Sequence, residues 1–211
     1  MGFCLGVDFD NTLVCYDELF HAVALEQGLV PAGTARTKEA VRGALRAAGR
    51  EEAWTELQGH VYGRRLREAR PFPGALELLA EARRLELPVS VVSHKTRRPY
   101  RGPPLDLHAA AWEWLEHQGC FDPARIGLVR DRVFFCETKE AKLERIAGVG
   151  CSHFVDDLPE VLLAEGFPAA TQRILFAPAG SPALAGNVPV ACMRSWGEIG
   201  AHLRALWGER P

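Results

Sequence analysis

Val7-Asp8-Phe9-Asp10-Asn11-Thr12-Leu13 closes the first apolar run of the chain with two carboxylates two residues apart. The run from Phe3 to Asp8 reads as a buried strand, so Asp8 and Asp10 both leave it at its C-terminal end. In an open parallel sheet that is the end where ligands bind. A carboxylate nucleophile with a second carboxyl group for proton transfer suits phosphoryl transfer, and the pair also offers hard oxygens to Mg²⁺. A bare D-x-D also fits a solvated strand end in which Asp10 or Asn11 caps the next turn. The rest of the chain has to decide between them.

Downstream of Arg70, short apolar runs alternate with helical patterns, the βα signature of a parallel sheet. After Pro71-Phe72-Pro73-Gly74, the residues Leu76, Leu78, Leu79, Ala82 and Leu85 recur at helical spacing, and Pro88 to Val92 is a β-branched run. Leu105 to His117 reads as a helix, Arg132 to Cys136 as a strand, Lys139 to Ala147 as a helix and Ser152 to Val155 as a strand. A helix starting at Pro159 and a strand from Arg173 to Phe176 follow. Ser195-Trp196-Gly197-Glu198 has capping-box form and opens a last helix through about Leu206. Residues 15 to 70 contain no strand-like run. Asp17 to Gln27, Thr37 to Ala48 and Glu51 to Arg70 show apolar residues at i, i+3 or i+4, with Gly28 and Gly49 placed as stops. This stretch is a helical insert that leaves the sheet at the end bearing Asp8, as a lid would.

The 211 residues allow one large domain, or one with a modest insertion. A hydrophobic share of 47% and a charged share of 25% exclude a disordered chain. A formal charge of −2 supplies no global field for nucleic acid or an anionic membrane, so any anion is bound locally. No apolar stretch approaches the ~18 to 20 residues of a membrane helix. The N-terminus lacks a signal peptide's pattern, and the expectation is a soluble cytoplasmic protein. Cys4, Cys15, Cys120, Cys136, Cys151 and Cys192 are scattered with no C-x-x-C pair, so they read as reduced thiols.

Three further stretches carry chemistry. Ser93 ends the strand Val89-Ser90-Val91-Val92-Ser93 with a hydroxyl able to bond a phosphoryl oxygen, and His94 follows it. Thr138-Lys139-Glu140-Ala141-Lys142 places a lysine at a helix start, against the helix dipole, where it needs solvent or an anion. The chain has only four lysines against 21 arginines, and two lie here. His153-Phe154-Val155-Asp156-Asp157 ends another strand in two carboxylates; Asp157 with Glu160 also suits a capping pair. The loop from Ser93 to Gly102 is basic, through Lys95, Arg97, Arg98 and Arg101, and fits either a second anion clamp or a solvated surface.

In order, hhhD-x-D-x-T, hhhS, Lys and hhhDD resemble the four-motif signature of the haloacid dehalogenase-like hydrolase superfamily, from Phe3 to about Leu163. The resemblance implies an α/β fold, a doubly wound parallel sheet formed by residues 1–14 and 71–211, with a C1-type helical cap at 15–70. It implies Asp8 as nucleophile and Asp10 as general acid/base. Ser93, His94, Lys139 and Asn11 would bind the phosphoryl group. Asp8, Asp156, Asp157 and Asp10, the last through its carbonyl, would hold Mg²⁺. Asn11 stands where the family often has Gly, a change Asn tolerates because it accepts left-handed backbone. The interval from Lys139 to Asp156 is short for the family and leaves Lys142 as an alternative. Lys139 is preferred because Leu143 and Ile146 then face the sheet at +4 and +7 and Thr138 can cap. The implied activity is a Mg²⁺-dependent phosphatase for a small phosphorylated metabolite, a sugar phosphate or nucleotide monophosphate, acting through an aspartyl phosphate. A phosphomutase or phosphotransferase would use the same residues, and a non-catalytic binding protein on this fold is the alternative from another class. No nucleic-acid or membrane partner is expected, and oligomeric state is left open.

Overall fold

The structure is a computed structural model that describes residues 2–180 and 188–208. In chain order its strands are β1 (Leu5–Val7), β2 (Val14–Cys15), β3 (Arg70–Pro71), β4 (Val89–His94), β5 (Val133–Cys136), β6 (His153–Asp156), β7 (Gln172–Phe176) and β8 (Val190–Met193). The helices are α1 (Asp17–Glu26), α2 (Lys38–Ala47), α3 (Glu51–Gly63), α4 (Ala75–Arg84), α5 (Leu107–His117), α6 (Lys139–Gly148), α7 (Pro159–Leu162) and α8 (Trp196–Gly208). The chain divides into two compact units.

The first unit, Met1–Leu13, Pro71–His94 and Gly119–Pro211, is built on a six-stranded sheet in the order β5-β4-β1-β6-β7-β8. Every pairing in it is parallel. Both neighbours of β1 come from later in the chain, β4 on one side and β6 on the other, so the strand order reverses there and opens a crevice at its C-terminal end. Helices cover both faces. On one, Leu143 and Ile146 of α6 and Val161 and Leu162 of α7 pack with Val92, Phe154 and Leu175. α4 and α8 pack together against the other face, where strand alternation sends Leu5, Val7, Val91, Val155 and Ile174; all five are buried. Helix starts follow the sequence. Thr138 accepts a bond from Ala141 N at 3.1 Å, and Ser195 accepts from Glu198 N at 3.1 Å. β8 has no counterpart in the sequence reading. It is an edge strand with only Met193 buried, and Pro189 stands directly before it, so neither an apolar run nor clean alternation marks it.

The second unit is Val14–Arg70 together with Lys95–Gln118. α5, which the sequence reading left with the sheet, therefore groups with the helical insert. Its buried face of Leu107, Ala110, Ala111, Trp114 and Leu115 reports an apolar partner without naming it. That partner includes α3, whose Gly63 admits Leu105: a Cβ there would lie 2.6 Å from Leu105 Cδ1. Trp114 also donates from Nε1 to the Ala69 carbonyl at 2.7 Å. α1, α2 and α3 enclose a core of Phe20, Val23, Val41, Leu45, Trp54 and Val61. Residues 51–70 are not one helix: α3 stops at Gly63, and a 3-10 turn at Leu66–Glu68 precedes β3. The basic loop is paired within this unit. Arg97 meets Asp106 at 3.2 Å, Arg98 donates to the Pro104 carbonyl and Arg101 meets Glu52 at 2.9 Å, all on the surface.

Candidate active site

The first unit brings the acidic motifs together at one end of its sheet. Asp8 follows β1, and its N–H still reaches Val155 of β6 at 2.9 Å, which continues the parallel ladder and fixes where the carboxylate emerges. Beyond it the chain turns through Asn11 at φ 56°, the left-handed backbone that the Asn anticipates. Phe9 is fully buried edge-on to Phe135, and Leu13 N bonds back to the Phe9 carbonyl. The Thr12 carbonyl accepts from Trp196 Nε1 at 3.0 Å, while the Thr12 hydroxyl faces Asp157 Oδ1 at 3.4 Å. This turn is held by packing on three sides.

Asp8, Asp156 and Asp157 present carboxylate oxygens within 4.8 Å of one another. Lys142 stands among them. Its Nζ lies 2.7 Å from Asp8 Oδ1 and 2.6 Å from Asp156 Oδ2, and its side chain is wholly buried. Asp156 is completed by Leu158 N, which donates to Oδ1 at 3.0 Å. Burial alone would strip the Lys142 ammonium of its proton, but Asp8 and Asp156 outweigh it and hold the group protonated beyond an ordinary lysine. For Asp156 burial dominates: despite Lys142, burial and the neighbouring Asp8 push its carboxyl up to about 7. With all groups ionised, three carboxylates face one ammonium and leave two negative charges. Such a cluster is costly without a further cation.

Lys142 replaces Lys139 in this arrangement. Lys139 is the first residue of α6 and lines a surface groove with Glu140, Leu143, Glu144 and Gly166. A helical side chain tilts toward the helix N-terminus, so Lys142, one turn further in and four residues before buried Ile146, reaches back to the strand ends. Leu143 and Ile146 face the sheet, and Lys142 lies on that same buried face.

Ser93 lies at the end of β4, fully buried, and its Oγ has no hydrogen-bond partner. The register opposes Val7 to Val91, which sets Ser93 one residue beyond the level of Asp8 on the adjacent strand. His94 turns outward, with Nε2 3.2 Å from the Glu137 carbonyl. Asp10 is half-buried after β1, and its carboxylate lies outside the cluster of three. Leu158 is the N-terminal cap residue of α7 and makes no side-chain cap bond of its own, while Asp156 accepts from Leu158 N at 3.0 Å.

No family model and no curated protein matches the sequence. Solved structures do match it, along nearly the whole chain and at low identity. The HAD-hydrolase YfnB from Bacillus subtilis bound to magnesium is 14% identical, with a TM-score of 0.62, covering 96% of this chain and 98% of its own. A HAD family hydrolase from Deinococcus radiodurans with bound phosphate and sodium is 15% identical, with a TM-score of 0.55 over 99% and 96%. L-2-haloacid dehalogenase from Xanthobacter autotrophicus, with chloropropionic acid covalently bound, is 15% identical, with a TM-score of 0.54 over 98% and 100%. A parallel sheet that switches at β1, and this likeness along its whole length, identify the chain as having the haloacid dehalogenase-like fold.

Proposed function

We propose that the chain is a divalent-metal-dependent phosphomonoesterase for a small phosphorylated metabolite, with Asp8 as nucleophile. The observation that carries this reading is the Lys142 ammonium fixed between Asp8 and Asp156 at the end of β1. A phosphate monoester dianion repels a bare carboxylate, so attack requires positive charge held beside the nucleophile. Lys142 supplies one such charge and fixes the rotamer of Asp8. The unpartnered Ser93 hydroxyl suits a phosphoryl oxygen.

Asp8, Asp156 and Asp157 fit Mg²⁺ as a set of hard oxygen donors, and their two uncompensated negative charges match one divalent cation. When bound, the ion neutralises phosphoryl oxygens against the attacking carboxylate. Asp8 then forms the phosphorus–oxygen bond as the alkoxide leaves. Asp10 donates the proton that the alkoxide needs, and afterwards takes one from the water that hydrolyses the aspartyl phosphate. The HAD-hydrolase with bound phosphate and the one with bound magnesium agree with this reading. Asp10 favours it over dehalogenation, because a halide leaves without a proton.

The test is a screen of sugar phosphates and nucleoside monophosphates for phosphate release with Mg²⁺, beside 2-chloropropionate for chloride release. Phosphate release from one class supports the reading, and chloride release alone would replace it with dehalogenation.

A further inference from the structure

At the opposite, N-terminal end of the same strands a row of polar side chains crosses β6, β1 and β4. Cys4 directly precedes β1 and Cys151 lies two residues before β6. Both are buried in the cluster that α6 and α7 cover. They share one face of the sheet with Gly6, and Gly6 brings them together. A Cβ on Gly6 would lie 2.6 Å from Cys151 Sγ, so only glycine lets that thiol lie across β1 toward Cys4. The Cys4 amide donates to Ser152 Oγ at 2.9 Å, which ties the segment that carries Cys151 beside Cys4. On its other side Cys4 Sγ meets Ser90 Oγ at 4.0 Å and Arg132 Nη1 at 3.8 Å, and Arg132 also donates to Ser90 at 3.2 Å. Arg132 in turn lines an open cavity of about 450 Å³ with Arg83, Glu86, Leu87, Pro88 and Val129.

We propose that Cys4 and Cys151 are a redox-active dithiol, which a hydroperoxide arriving through this cavity oxidises to a disulfide linking the N-terminal ends of β1 and β6. A buried thiol in apolar surroundings is inert, whereas one beside a fixed cation is held as thiolate. Neighbouring Cys151, then Ser90 and Arg132, pull the Cys4 thiol below the ordinary cysteine range against its burial, while Cys4 and burial push Cys151 up. Cys4 is therefore the attacking sulfur and Cys151 the resolving one. The Cys4 thiolate attacks one peroxide oxygen, the O–O bond breaks, and an alkoxide or hydroxide leaves and takes up a proton, giving the Cys4 sulfenic acid. Cys151 sulfur then displaces water from that sulfenic acid to form the S–S bond, its thiol proton leaving with the hydroxyl. The two electrons lost by the sulfurs reduce the peroxide. The backbone on both sides is fixed: the Cys4 carbonyl accepts from Ser152 N at 2.9 Å, and the Cys151 carbonyl accepts from the Thr171 hydroxyl at 2.6 Å.

The test uses the full reduced chain, a few equivalents of hydrogen peroxide, alkylation of remaining thiols after unfolding, and peptide mapping. The expected result is one cross-linked peptide pair joining Cys4 to Cys151, about 2 Da lighter than the two thiol peptides, with Cys120 still alkylated. Arg132→Met keeps all six cysteines and should slow cross-linking by about tenfold or more; Cys151→Ala should abolish it. Alkylation of both Cys4 and Cys151 after the exposed Cys192 has been oxidised overturns the proposal. So does oxidation of Cys4 that stops short of Cys151, or an Arg132→Met chain that reacts at the wild-type rate. The wild-type map and the Arg132 variant decide the matter even if the alanine variant does not fold.

Discussion

The Lys142 ammonium is buried 2.7 Å from Asp8, while Lys139, one turn earlier on the same helix, stands at the groove on the surface. Breaking a buried pair by removing one partner leaves uncompensated charge and costs about 3 to 5 kcal/mol. Lys142→Met should therefore lose that much stability in urea unfolding and lose turnover as well. Lys139→Met should change stability by no more than about 0.5 kcal/mol, as surface substitutions do, and leave turnover intact. Equal effects at the two positions would contradict the assignment.

Chelation should destabilise the protein, because the acidic cluster then keeps its excess negative charge. Magnesium at about a hundredfold its dissociation constant should restore about 2.7 kcal/mol, read as a higher unfolding midpoint. Asp157→Asn should blunt this response with little effect on the chelated protein, since Asp157 is only half-buried. A magnesium response unchanged in Asp157→Asn would remove that residue from the ligand set.

Asp10→Asn should slow turnover by about 10² to 10⁴ on an alkyl phosphate and by clearly less on p-nitrophenyl phosphate, whose leaving group needs no proton. Equal losses on the two substrates would rule out Asp10 as the acid.

His153 predicts an acid limb of stability far from the carboxylates. Its ring stacks on Phe3 at 4.8 Å, and Nδ1 bonds the Ser152 hydroxyl at 2.9 Å. Burial first, and the nearby His202 second, hold its pKa below the ordinary histidine value. The folded chain therefore binds fewer protons here than the unfolded chain, and stability falls as pH drops through about 6.5, the unfolded histidine value. His153→Asn keeps the Ser152 bond and cannot titrate. The wild type should lose stability relative to this variant between pH 7.5 and 5.5, and a constant gap would contradict the argument.

Most of the sheet was legible because a buried parallel strand is a continuous apolar run, and Asp8, Ser93 and Asp156 each end one. β8 was not, since an edge strand with one buried residue has no such pattern. The grouping of α5 was not legible either: Ala110, Ala111 and Trp114 announce a buried face, and only the tertiary structure says that α3 shares it. The acidic pairs and the left-handed Asn11 followed from local chemistry. Choosing Lys142 over Lys139 needed the direction in which a helical side chain leans, because both lysines sit in one turn and spacing alone fits either.

The central claim is that Asp8, clamped by Lys142 and supported by a divalent cation, attacks phosphorus. It is tested most directly by phosphate release from p-nitrophenyl phosphate by the wild type and by Asp8→Asn, each with Mg²⁺ and with chelator. The account predicts turnover only in the wild type with Mg²⁺. Turnover in chelator, or an Asp8→Asn chain keeping more than about a tenth of the wild-type rate, an order above the residual rate expected even on losing an acid/base group, would contradict it.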